Sequence, residues 1–179
     1  MKRVILMTLS VIFALNYYSF GQILVPHQEG SSGKWGFLDE KTGKLIIPHK
    51  YDVADGFVEG LAAVGVRYEG WGFIDKTGNE VIPIKYDWVD HFADGLAKAT
   101  LNGKTGFIDR TGETVIPFKY DFAKGFAYGD FREEFSLVRL DGKYGYIDKT
   151  GVEVVPVKYT TEKAMRKLLK SSRKSIAKL

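Results

Sequence analysis

The sequence contains no cysteine. That absence removes disulfide staples, thiolate metal sites, cysteine nucleophiles and the acceptor thiol of a bacterial lipoprotein. Histidine is nearly as scarce, and no two of His27, His49 and His91 share a metal-ligand spacing such as i, i+4. Long apolar runs are lacking too. The longest, residues 4–15, covers 12 residues, about 18 Å as helix against a hydrocarbon core of ~30 Å. Lys2 and Arg3 precede it, and Ser19 and Gly21 occupy the −3 and −1 positions of a cut before Gln22. This pattern predicts a signal peptide over residues 1–21, cleaved between Gly21 and Gln22, and a secreted or periplasmic chain, with an uncleaved anchor as the alternative.

An excess of basic charge is also missing from the body of the chain, although the whole carries +4. Lys2 and Arg3 account for +2, and residues 161–179 hold seven Lys/Arg against one Glu, or +6, leaving −4 for residues 22–160. A mildly acidic body argues against a nucleic-acid partner. The overall balance of 45% apolar and 27% charged residues is that of a folded protein, not a disordered one.

What the chain has in quantity is internal repetition. Trp-Gly-Phe-Leu-Asp at 35–39 recurs as Trp-Gly-Phe-Ile-Asp at 71–75, Thr-Gly-Phe-Ile-Asp at 105–109 and Tyr-Gly-Tyr-Ile-Asp at 144–148. Each leads to a proline, Pro48, Pro83, Pro117 or Pro156, and then to Lys-Tyr, ending at Tyr51, Tyr86, Tyr120 and Tyr159. Asp52, Asp87 and Asp121 follow the first three tyrosines, with Thr160 in the fourth place. A phenylalanine then opens a small-residue strand at 57–64, 92–99 and 131–138. The glycines Gly36, Gly72, Gly106 and Gly145 are 36, 34 and 39 residues apart, and the longest gap holds an insertion around residues 127–130.

These residues resemble the bacterial WG (KWG-type) repeat over residues 34–159, with Thr105 and Tyr144 in place of tryptophan in the last two units. The resemblance implies a tandem β-repeat of the kind found on exported or surface proteins, and it brings no catalytic residues.

Read physically, each unit is a three-stranded antiparallel meander. Trp71 and Phe73 lie on one face of the second strand, with Gly72 and Ile74 on the other. A third strand over 80–82 is stopped by Pro83, which cannot donate to a ladder. Asp75, Asp109 and Asp148 begin four-residue turns that end in Gly78, Gly112 and Gly151, as type I turns require. The turn after Asp39 has an extra residue, Glu40, and is expected to be looser. Asp52, Asp87 and Asp121 are expected to cap one helical turn each. Phe57 and Phe92 would then pack back on the strands.

The expected fold is therefore all-β: tandem three-stranded meanders in an open array rather than a closed ring, ending in a short C-terminal helix. Residues 22–33 form an exposed N-terminal segment, residues 34–160 the array with its last unit incomplete, and residues 161–179 a basic amphipathic helix. That tail caps the array, lies on an anionic membrane surface or polymer, or frays.

The repeated aspartates read as turn and cap residues, and single aspartates on successive units lie too far apart to share a calcium ion. No cofactor and no catalytic set is expected. The better candidates break the pattern. In the insertion, Phe126, Tyr128 and Phe131 surround charged residues that include Arg132, a mixture suited to an interface. Trp88 replaces Val53 and Phe122 at one position. The expected function is a non-enzymatic, exported protein-interaction module with a cell-envelope partner. A glycan or cell-wall binder using Trp35, Trp71 or Trp88 is the alternative, and a hydrolase is a distant third.

Overall fold

The computed structural model describes residues 21–126 and 134–163. It is an open array of four antiparallel sheets. The first contains β1 (Leu24–Gln28), β2 (Trp35–Asp39) and β3 (Leu45–Tyr51). The second contains β4 (Val53–Ala54), β5 (Ala62–Val66), β6 (Gly70–Ile74) and β7 (Glu80–Tyr86). The third contains β8 (Trp88–Val89), β9 (Leu96–Leu101), β10 (Lys104–Asp109) and β11 (Thr114–Tyr120). The fourth contains β12 (Phe122–Ala123), β13 (Phe135–Leu140), β14 (Lys143–Asp148) and β15 (Glu153–Tyr159). Strand order within each sheet follows chain order, the meander expected from the repeat.

Three local expectations are corrected. Residues 22–33 are not simply an exposed segment, because β1 pairs along the whole of β2 and buries Leu24. The third strand does not stop at its proline. In the second sheet Trp71 pairs with Tyr86 and Phe73 with Ile82, so Gly72 alone faces Pro83, Ile84 and Lys85. The strand bulges there and resumes, and a residue without an N–H costs nothing where the ladder is already interrupted. The bulged backbone lies so close that a Cβ on Gly72 would be 2.5 Å from the Ile82 carbonyl oxygen and 2.8 Å from Ile84 N. The Trp-Gly pair and the proline eleven or twelve residues after its glycine are thus two sides of one bulge.

The third correction concerns the segment after Tyr-Asp, which forms a two-residue strand instead of a helical turn. Val53 and Ala54 pair with Gly65 and Val64, and Trp88 and Val89 with Thr100 and Ala99. Tight turns follow at Glu59-Gly60 and Asp94-Gly95, with φ of 51° and 86°, then 49° and 78°. Positive φ at both positions is the hairpin geometry that matches strand twist.

Alternation along the strands places apolar side chains on both faces of the second and third sheets. Ala62, Val64 and Ile74 pack against Phe37, Ile47 and Tyr51 of the first sheet. Phe73, Ile82 and Tyr86 face the other way, onto Val89, Ala97, Ala99 and Ile108 of the third. Phe107, Ile116 and Tyr120 repeat the arrangement against Ala123, Val138 and Ile147 of the fourth. Large rings from one sheet thus meet small residues from the next. This size matching fills a core between two twisted sheets. Phe57, Phe92 and Phe126 plug the same place at each interface, with ring centroids 5.0, 4.7 and 4.8 Å from Phe37, Phe73 and Phe107.

Candidate interaction surface

The recurring aspartates divide into two structural sets. The first closes the hairpins between the long strands. Asp109 Oδ1 accepts from Thr111 N at 2.8 Å, Thr111 Oγ1 at 2.7 Å and Glu113 N at 3.0 Å. Asp75 and Asp148 accept from the equivalent positions. In the first turn, lengthened by Glu40, Asp39 Oδ1 accepts from Thr42 N and Thr42 Oγ1 at 2.8 and 2.5 Å, and the Gln22 side chain also bonds the carboxylate. The Thr42, Thr111 and Thr150 hydroxyls hold Asp39, Asp109 and Asp148 below the usual carboxylate range. For Asp75 burial opposes ionisation, but the bonds from Thr77 and Asn79 outweigh it, and its carboxyl is also lowered. Each of these carboxylates accepts hydrogen bonds from its own turn, the role that turn chemistry assigns them.

The second set ties adjacent sheets. Asp52 Oδ2 accepts from Arg67 N at 2.8 Å, and Asp87 Oδ2 from Gly103 N at 2.8 Å, both in the hairpin of the following sheet. Asp52 and Asp121 also hold lysines of the preceding sheet, Lys34 and Lys104, at 2.8 and 2.7 Å. The Arg67 amide, then Lys34, lower the Asp52 carboxyl, and Lys104 lowers that of Asp121. Asp121 in turn raises the Lys104 ammonium.

The aromatic candidates separate cleanly. Trp88 is 49% exposed at the start of β8. Its ring packs tilted against Trp71 with centroids 4.7 Å apart and planes at 60°, and its Nε1–H donates to Asp90 Oδ1 at 3.1 Å. Trp71 sits over Gly65, whose lack of a side chain seats the indole. Val53 and Phe122, at the positions equivalent to Trp88, are exposed as well. Phe126, by contrast, is 3% exposed and fills the core slot beside Phe107, so it cannot serve as a contact residue. The insertion therefore begins after Phe126. Tyr128, Phe131 and Arg132 lie outside the described residues, as does residue 164 onward of the expected tail helix.

Trp71 also lines a groove of about 800 Å³. Gln28 of β1, Arg67, Tyr68 and Glu69 of the hairpin between β5 and β6, and Asp87 line it too. Tyr68 is 98% exposed with φ of 68°, in a hairpin one residue longer than those at 102–104 and 141–143. That extra residue was visible in the sequence, whereas the groove required the sheets to be stacked. The sequence also gave no sign that His27 Nδ1 and His49 Nε2 meet at 2.9 Å, which they do across Gly36 in the middle strand. Among the described residues no group of three or more His, Asp or Glu side chains is placed to hold a metal ion, and no helix is long and apolar enough to cross a membrane.

A family model described as a WG containing repeat matches residues 35–67, 71–104, 106–144 and 144–161. The chain belongs to this family. Each full WG match begins at β2, β6 or β10, the last strand but one of its sheet, and ends just past the second strand of the next sheet or just inside its third, so a WG unit straddles two sheets. No curated protein matches the chain. Among solved structures, a crystal structure of HIRA(644-1017) is similar at 9% identity and a TM-score of 0.41, covering 74% of this chain and 48% of that one. The computationally designed Ika8 protein is similar at 14% identity and a TM-score of 0.42, covering 79% and 49%. The WG chain spans about half the length of each.

Proposed function

We propose that this WG repeat protein is a non-enzymatic, exported interaction module that binds a protein partner of the cell envelope. The observation that carries the reading is Trp88, half-exposed and packed against Trp71, which itself lines the groove. A large ring held by a second ring presents apolar area at little entropic cost on binding. The repeated aspartates support the non-enzymatic part, because turn and inter-sheet hydrogen bonds account for their recurrence. Capture of a partner from envelope extracts by the full chain, by Trp88→Ala and by a chain lacking residues 161–179 tests the proposal. Trp88→Ala is expected to lower capture by at least about tenfold, the scale of an aromatic hot spot. Undiminished capture by Trp88→Ala would remove this surface from the proposal.

The same indole favours one second reading, a glycan or cell-wall ligand stacked on Trp88. Co-sedimentation with purified cell wall, free of protein, separates the two: retention that depends on Trp88 supports the glycan.

A further inference from the structure

Asp52, Asp87 and Asp121 occupy one position in three successive sheets. Each follows the tyrosine that ends a long strand, and that tyrosine pairs with the residue at the tryptophan position: Trp35 with Tyr51, Trp71 with Tyr86, Thr105 with Tyr120. The residue just before the tryptophan position is therefore brought beside the aspartate. In the first and third sheets it is Lys34 or Lys104, and its ammonium sits on the carboxylate at 2.8 or 2.7 Å. In the second sheet it is Gly70.

No side chain can be placed there on this backbone. Gly70 has φ of 111°, and a Cβ would lie 2.5 Å from the Tyr86 carbonyl oxygen. Asp87 keeps its bond from Gly103 N, and among the described residues no cation pairs with it. Of the two nearby cations, Arg67 bonds Asp52 through its backbone N–H and the Lys85 ammonium is 5.3 Å from the Tyr86 ring centroid; neither makes an ion pair with Asp87. Asp52 and Asp121 are half-covered, whereas Asp87 is exposed and opens into the groove beside Trp71.

We propose that this groove receives a lysine side chain of the partner protein, its ammonium on Asp87 where Lys34 and Lys104 stand in the neighbouring sheets. The inference rests on the protein-binding reading above and names the chemistry of the partner. A carboxylate with an ammonium is a charge-assisted pair, and the adjacent indole suits both the methylene stem and the cation.

The test is a titration of the full-length protein with capped Gly-Lys-Gly, Gly-Arg-Gly and Gly-norleucine-Gly tripeptides, read from the indole N–H resonances of Trp71 and Trp88. The lysine peptide is expected to shift them saturably, with norleucine at least about tenfold weaker, as loss of a charge-assisted bond implies. Asp87→Asn, at an exposed position, should weaken the lysine peptide to the norleucine level. Replacing residues 67–70 by the Asn-Gly-Lys of residues 102–104 supplies an internal lysine and should abolish binding. Equal binding of norleucine, a preference for arginine, or full binding by the Asn-Gly-Lys variant would overturn the inference. Trp88-dependent capture of a partner by a protein that ignores the lysine peptide would sink this inference alone and leave the interaction reading standing.

Discussion

At position 72, the hydrogen that glycine carries in place of a side chain makes room for the carbonyl of Ile82 and the amide of Ile84. The obstruction is backbone on a strand packed from both sides, so it cannot swing away as a flexible side chain would. Gly72→Ala is expected to cost about 3 kcal/mol, the upper range for forced overpacking. Gly30→Ala, where a new Cβ meets nothing within 4 Å, should stay within about 0.5 kcal/mol. Urea unfolding of the two variants measures the contrast. The glycine was legible in the sequence as a recurring residue, but its reason was not. The reason depends on three residues of the neighbouring strand bulging opposite one, and alternation alone would have stopped that strand at Pro83. Phe126 shows the same limit from the other side. Its aromatic neighbours made it look like part of an interface, yet its contact with Phe107 places it in the slot that Phe57 and Phe92 fill in earlier units.

The hairpin is the element that local chemistry specifies most completely. Asp and Gly at fixed offsets were enough to predict the turns after Asp75, Asp109 and Asp148, and the extra Glu40 marked a first turn one residue longer, which Gly43 N closes onto the Asp39 carbonyl at 2.8 Å. Thr111→Val removes a hydroxyl donor 2.7 Å from Asp109 and leaves the backbone bonds in place. The expected cost is about 1 kcal/mol, with the carboxyl of Asp109 moving up toward its ordinary value in an NMR titration. The Tyr-Asp element was less legible. Its aspartate suggested a helix cap, and the lysine that precedes the tryptophan position gave no hint that it would be the partner. Sheet pairing sets that contact across 17 or 18 residues, and a short window cannot contain it. The exposed groove belongs to the same class, since its walls come from different sheets.

Among the described residues, four sheets share three interior contacts, each between neighbours in the chain. Stability in such an array is a sum of neighbour terms, so the middle is protected from both sides. Amide exchange is expected to be slowest around Phe73, Ile82 and Ile108, at the contact of the second and third sheets, and faster in β1. Uniform protection across all sheets would contradict this gradient. Acid acts on the entire array at once. Asp39, Asp52, Asp75, Asp109, Asp121 and Asp148 all titrate below the ordinary 3.8. The unfolded chain therefore binds more protons as pH falls. Their stabilisation is complete above the ordinary carboxylate value and disappears as pH drops through the lower, folded values. Urea midpoints should be flat from pH 7 to about 5 and fall steeply below about 4.

The offset between the sequence unit and the sheet has a consequence for how such a gene can change length. A recombination breakpoint at the WG codons cuts through the middle of a sheet, not between two sheets. An added unit begins with the two strands that complete the sheet before it and ends with the two that start the sheet after it. A lost unit joins the remaining halves in the same way. Unequal crossing-over can therefore lengthen or shorten the array while every newly joined sheet keeps its full complement of strands.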